Sequence, residues 1–170
     1  MELSERVAEL ERRVAALEGA RSEGLPPAAD GVFWALEGLK AQLAEAGEAG
    51  EGGGVLFTGA VALPSELQYE WQYGLGTGEL LEDGYDEGAA EALSALGHPV
   101  RLRLLREILS GRQTTAELTD LAGTGSTGQL YHHLRQLSAA GWLQSAGRGR
   151  YAVPGARVVP LLVVLAAARG

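Results

Sequence analysis

Apolar residues recur along the chain with three different periods, and each period predicts an element. Leu3, Val7, Leu10, Val14 and Leu17 follow a 4-3-4-3 spacing, a heptad seam with Val at a and Leu at d. Arg6 and Arg13 fall at g and Glu11 and Glu18 at the following e positions, as opposite-charge pairs across a parallel dimer require. The run is under three heptads, so it adds to another contact rather than creating a dimer alone, and the alternative is a single amphipathic helix lying on its own domain. Pro26-Pro27 ends it. A second helix over 30–44 places Val32, Leu36, Leu39 and Leu43 on one stripe, with Asp30 as N-cap. Residues 45–54, rich in Gly and Glu, read as a loop.

The period then changes to two. Leu67, Tyr69, Trp71 and Tyr73 alternate with Glu66, Gln68, Glu70 and Gln72, the pattern of a half-buried strand. On the preceding strand Val55, Phe57, Val61 and Leu63 share a parity. A three-residue loop, Pro64-Ser65-Glu66, sets Leu63 opposite Leu67, Val61 opposite Tyr69, Gly59 opposite Trp71 and Phe57 opposite Tyr73. Every apolar residue then lands on one face. Two strands need a cover, which the 30–44 helix or a second chain would supply. Residues 74–84 hold four glycines and read as a linker. Gly74-Leu75-Gly76-Thr77-Gly78 lacks the lysine of a phosphate-binding loop.

Helical spacing returns after Asp86. Ala89, Ala92, Leu93 and Leu96 mark one helix, closed by Gly97 before Pro99, and residues 100–109 a second. Thr114-Thr115-Ala116-Glu117 and Ser126-Thr127-Gly128-Gln129 are capping boxes. The first opens a short helix over 115–122, and the second a longer one closed by Gly141. In the longer helix Leu130, Leu134 and Leu137 line one face, leaving Thr127, Tyr131, His132, Arg135 and Gln136 away from it. Two short helices with a tight Gly turn between them, the second polar outside, form a helix-turn-helix. Residues 142–145 and 151–153 read as short strands. The Gly-flanked Arg148 and Arg150 at their tip form a wing suited to a phosphate backbone or minor groove.

Composition changes this picture in one respect. The formal net charge of −8 hides a split: residues 1–97 carry −14 and residues 98–170 carry +6. The acidic total therefore does not argue against nucleic acid, because the basic charge lies with the helix-turn-helix. The chain has no cysteine, which excludes thiolate metal sites, disulfides and Cys nucleophiles. No Ser-His-Asp, paired-carboxylate or phosphate-loop arrangement points to an enzyme. The longest apolar run, Val158 to Ala168, is 11 residues, against the ~20 of a membrane span. Met1-Glu2-Leu3-Ser4-Glu5 is charged without an apolar stretch. A cytoplasmic, nucleoid-associated protein is expected.

Residues 95–105 (Ala-Leu-Gly-His-Pro-Val-Arg-Leu-Arg-Leu-Leu), 131–137 (Tyr-His-His-Leu-Arg-Gln-Leu) and 140–143 (Ala-Gly-Trp-Leu) resemble the ArsR family of winged-helix repressors over about residues 87–169. Tyr131 stands where that family usually has Ser, and Gly128 where Pro is common. The resemblance implies base-edge contacts from Thr127, Gln129, Tyr131 and His132, and phosphate or minor-groove contacts from Arg135, Arg148 and Arg150. For Arg103, in the family's Arg-Leu-Arg stretch, it implies a structural or phosphate role. It implies local packing for His133. It also implies dimer pairing through the last helix, with Leu161, Leu162 and Leu165 joining Leu3, Val7, Leu10, Val14 and Leu17. The family's metal-sensing versions need Cys where this chain has Glu117 to Leu121, or Asp, His and Glu on the last helix, and neither set is present. Adjacent His132 and His133 point about 100° apart on a helix and do not chelate together. Neither a metal nor a cofactor is expected.

The expected fold is mainly α with small β elements. Residues 1–24 would form a coiled-coil dimerisation helix, 28–78 a helix and β-hairpin extension, and 86–170 a winged helix-turn-helix. The expected function is a homodimeric regulator, a repressor, reading an inverted repeat in double-stranded DNA. The alternative is an architectural or partner-recruiting DNA-binding protein using the coil and hairpin. Phe57, Trp71 and Tyr73 would line a pocket for a small apolar ligand, or present a surface to a protein partner, or simply form the hairpin core.

Overall fold

A computed structural model describes Val7 and residues 33–82, 87–121 and 125–169. The chain divides into two compact units, Met1–Ala41 and Gln42–Gly170. In the first, Val7 is helical and exposed, and Leu3, Leu10, Val14 and Leu17 of the heptad seam lie outside the described residues. Asp30 and Val32 also lie outside them. Helix α1 runs Trp34–Glu45, continues into the second unit and has no buried residue. A 3-10 turn at Gly47–Gly50 follows it, within the span expected to be loop.

The hairpin has the register that its alternation demands. Strands β1 (Gly54–Ala62) and β2 (Gln68–Gly76) pair antiparallel, with Phe57 opposite Tyr73, Gly59 opposite Trp71 and Val61 opposite Tyr69. Leu63 N donates to Leu67 O at 2.9 Å across the three-residue loop. Glu66, the last loop residue, takes the left-handed conformation at φ 61° that three-residue hairpin loops use.

The shared face is covered only in part. Val61, Leu63 and Tyr69 pack against the main core, while Val55, Leu67, Trp71 and Tyr73 are exposed. The cover comes from the last helix of the chain, α7 (Gly155–Ala167), which no sequence pattern assigned to this role. Gly59 permits the approach. A Cβ there would lie 2.6 Å from Val159 Cγ1, and Val159 is itself buried.

Within the expected linker 74–84, the described residues 74–82 are not free chain. Gly54 pairs with Gly76, Thr77 N donates to Gly53 O at 2.9 Å, and a short helix α2 forms at Thr77–Leu81. Glycine composition suggested a loop, but the ladder needs only backbone groups, and these glycines supply them.

The remaining elements build a winged helix: α3 (Glu87–Leu96), α4 (Pro99–Leu109), α5 (Thr115–Thr119), α6 (Thr127–Ala139), β3 (Gln144–Ser145), β4 (Tyr151–Ala152) and α7. The fold is α+β, mainly helical with small antiparallel hairpins. Its core joins Leu104, Leu105 and Ile108 of α4 to Leu118, Leu130, Leu134, Leu137, Trp142, Val158 and Leu161. Each such side chain withdrawn from water contributes about 1.5–3 kcal/mol. Trp142 is fixed on two sides. Its Nε1 donates to Ala92 O at 2.9 Å, and the Arg157 guanidinium lies 5.0 Å from its ring centroid.

Gly141 ends α6 as expected, at φ 73°. The Trp142 and Gly141 N–H groups donate back to Leu137 O at 2.9 Å and Ser138 O at 3.1 Å, the paired bonds of a glycine-terminated helix. Pro160 lies inside α7, beyond its first turn. Leu161 is fully buried within its own chain and has no surface to offer a second copy, whereas Leu162 and Leu165 stay half-buried. Among the described residues no helix is long and apolar enough to cross a membrane.

Gly59→Ala should destabilise the chain by roughly 1–3 kcal/mol through overpacking at Val159. Urea denaturation should show a smaller loss for the same change made in a Val159→Ala background.

Candidate nucleic-acid interface

Helix α6 owes its orientation to its leucines. Leu130, Leu134 and Leu137 are at most 1% exposed, so the opposite face is held toward solvent. That face presents Thr127, Gln129, Tyr131, His132, Arg135 and Gln136, all exposed. The start of the helix is pinned by a reciprocal cap. Ser126 Oγ accepts from Gln129 N at 3.4 Å, and Gln129 Oε1 accepts from Ser126 N at 2.8 Å. The carbonyl oxygen of Gln129 thus serves the cap, which leaves the amide nitrogen as the side chain's donor.

Helix α5 is capped in the same way by Thr114 and Glu117. The Thr114 hydroxyl donates to Glu117 Oε2 at 2.6 Å, and the Thr114 backbone N–H donates to it at 2.9 Å. These bonds hold the Glu117 carboxyl below the usual carboxylate range. Helices α5 and α6 with the Gly125 turn between them are the helix-turn-helix.

The wing is larger than its two strands. Ser145 pairs with Tyr151 and Gln144 with Ala152, and a third segment joins them at residues 113–115. Tyr151 N donates to Gln113 O at 2.8 Å, and Thr115 N donates to Gly149 O at 2.9 Å. The tip separates the two arginines. Arg150 donates to Gln113 Oε1 at 3.2 Å on the third segment, while Arg148 lies in an exposed turn. Neither residue 113 nor 114 stood out as strand in the sequence, because the segment is polar and overlaps a capping box.

The two arginines of the Arg-Leu-Arg stretch behave differently. Arg103 is exposed on α4. Arg101 is half-buried and joins three elements: it donates to Ala95 O, to Ser94 O at 2.9 Å and to Gln136 Oε1 on α6. Sequence reasoning gave Arg101 no role. The available signal was its position three residues after His98, on the side of α4 that meets α6.

The histidines form a row. The His98 and His133 ring centroids are 4.7 Å apart, and those of His133 and His132 5.8 Å. His98 Nδ1 accepts from Val100 N at 3.2 Å as the N-cap of α4, ahead of Pro99. His133 Nδ1 is buried and has no hydrogen-bond partner among the described residues. Burial first, then the neighbouring His98, Arg101 and His132, holds His133 below the usual imidazole range. Among the described residues no group of three or more His, Asp or Glu is placed to hold a metal ion.

Phe57 and Tyr73 meet across the hairpin with ring centroids 5.9 Å apart, and Trp71 and Tyr73 remain exposed beside them. The three aromatics thus lie on an open sheet face.

A family model described as a helix-turn-helix domain matches residues 96–142, from the end of α3 to Trp142. No curated protein and no solved structure matches the chain. The chain carries a helix-turn-helix domain, a module of DNA-binding regulators.

Ser126→Ala removes an N-cap and should lower stability by about 1 kcal/mol. Hydrogen exchange should quicken in the first turn of α6, which carries Thr127 and Gln129, with little change near Leu134.

Proposed function

We propose that the protein is an ArsR-like transcriptional regulator, a repressor, that binds double-stranded DNA in the cytoplasm as a homodimer. The observation that carries this reading is α6. It is a capped helix whose leucines are locked into the core and whose outward face offers hydrogen-bonding, aromatic and cationic side chains, within a segment matched as helix-turn-helix. Thr127, Tyr131, His132 and the amide nitrogen of Gln129 would read base edges in the major groove, with Arg135 on phosphate. Arg148 and Arg150 of the wing, and Arg103 of α4, would contact the backbone. The +6 charge of residues 98–170 favours such contacts.

Dimerisation would place two copies of α6 on half-sites of an inverted repeat about one turn apart. The heptad residues Leu3, Val7, Leu10, Val14 and Leu17 would supply one contact, and Leu162 and Leu165 of α7 a second. Phe57, Trp71 and Tyr73 would receive a small apolar ligand or a protein partner. A second reading rests on those exposed aromatics: an architectural protein that coats DNA and recruits through the hairpin.

Selection of bound duplexes from a random pool separates the two. Enrichment of one palindromic site supports the regulator, uniform recovery supports the architectural protein, and no recovery overturns both. Replacing Arg148 and Arg150 together by Ala should weaken binding across sequences. It should also flatten the salt dependence by up to about two units, near one for each phosphate no longer neutralised. An unchanged slope removes the wing from the interface.

A further inference from the structure

Two residues at the start of α4 and two on α6 face each other as rungs of a short ladder. His98 and Arg101 are three apart, as are His133 and Gln136, so each pair shares a helix side. The His98 and His133 rings meet at 4.7 Å, tilted by 42°, and Arg101 donates to Gln136. We propose that this ladder positions the recognition helix only while both imidazoles are neutral, so that mild acid unseats α6 and weakens its hold on DNA. The effect on DNA rests on the reading of α6 as the DNA-reading helix.

The chemistry of each rung sets the direction. His98 caps α4 by accepting the Val100 N–H on Nδ1. An imidazolium has no lone pair, so protonation removes the cap and places a cation at the positive end of the helix. Ser, Asp or Asn at this position would cap across the whole range. His133 stands beside that ring with its Nδ1 buried and unpartnered among the described residues.

The groups acting on His133 are His98 from the α3–α4 corner, Arg101 from α4 and His132 from its own helix, and all are basic. Glu87 and Glu91 of α3 line the open groove that Arg101 and Gln136 also line, on the Arg101 side of the ladder. The His133 ring is held below its ordinary range, so the unfolded chain takes up the proton first as pH falls. The contribution of the seat is therefore complete at neutral pH. It is lost as pH drops below the unfolded imidazole value of about 6.5.

The test uses the full chain at pH 7.5 and 5.5, reading hydrogen exchange of α6 without DNA and affinity for the selected duplex. His133→Phe keeps a ring without a titrating nitrogen, and His98→Asn keeps a cap without one. In the wild type, acid should speed α6 exchange beyond its intrinsic pH dependence and weaken DNA binding about tenfold. The double variant should lose both responses and keep its neutral-pH affinity within about twofold. His132→Asn, on the exposed face, should retain the acid response in exchange.

Unchanged wild-type exchange overturns the proposal, as does an acid response that survives in the folded double variant. If the double variant does not fold, His98→Asn alone must reduce the response, and a full response in it overturns the proposal equally. Acid-dependent exchange with no DNA bound at either pH sustains the seat and sinks the DNA reading. DNA bound equally at both pH values with flat exchange does the reverse.

Discussion

Leu130, Leu134 and Leu137 return to one side of α6 every three or four residues, and water drives that side against Leu104, Leu105 and Ile108 of α4. The rest of the winged helix depends on this contact. A helix with three buried leucines cannot rotate about its axis without exposing at least one of them. The outward set, Thr127 to Gln136, is therefore oriented first by what lies inside, and the contacts of His133 with His98 and of Gln136 with Arg101 add to that hold. The Ser126–Gln129 cap and the glycine-terminated end at Gly141 set the two limits of the helix, so its phase and its length are both determined locally.

Charge and burial divide the arginines by task. Arg101 spends its donors on two carbonyls of α3 and on Gln136, and Arg157 lies over Trp142, so both hold the fold together. Arg135 and Arg148 are exposed, and Arg150 is exposed with one nitrogen given to Gln113, which leaves them suited to an anionic surface. Counting basic residues in the second half of the chain would treat these groups alike. Their hydrogen bonds separate them.

What could be read in advance follows from the range of each interaction. The hairpin register was legible because side-chain parity and a three-residue loop admit one pairing, and both capping boxes because their partners lie three residues apart. The leucine stripe of α6 was legible from its period. Contacts between distant segments were not. Nothing near residue 159 announces that Val159 packs on Gly59, and nothing in the Leu161 pattern separates burial within one chain from burial between two. Thr77–Leu81 was hidden by Gly78 and by Gly74 and Gly76 before it, and Arg101 by a motif that shows its charge without revealing its partner. On the interface, the exposed candidates of α6 were all visible in the sequence. The difference between Arg148 and Arg150 was not, because it depends on Gln113, 37 residues away.

The third segment of the wing has a mechanical meaning. Residues 113–115 bond to Gly149, Arg150 and Tyr151 on one side and supply the cap of α5 on the other. The tip side of the hairpin is thereby bonded to the start of the helix-turn-helix. A load on residues 149–151 therefore passes through backbone bonds to the start of α5, so the wing and the helix-turn-helix share one hydrogen-bonded frame.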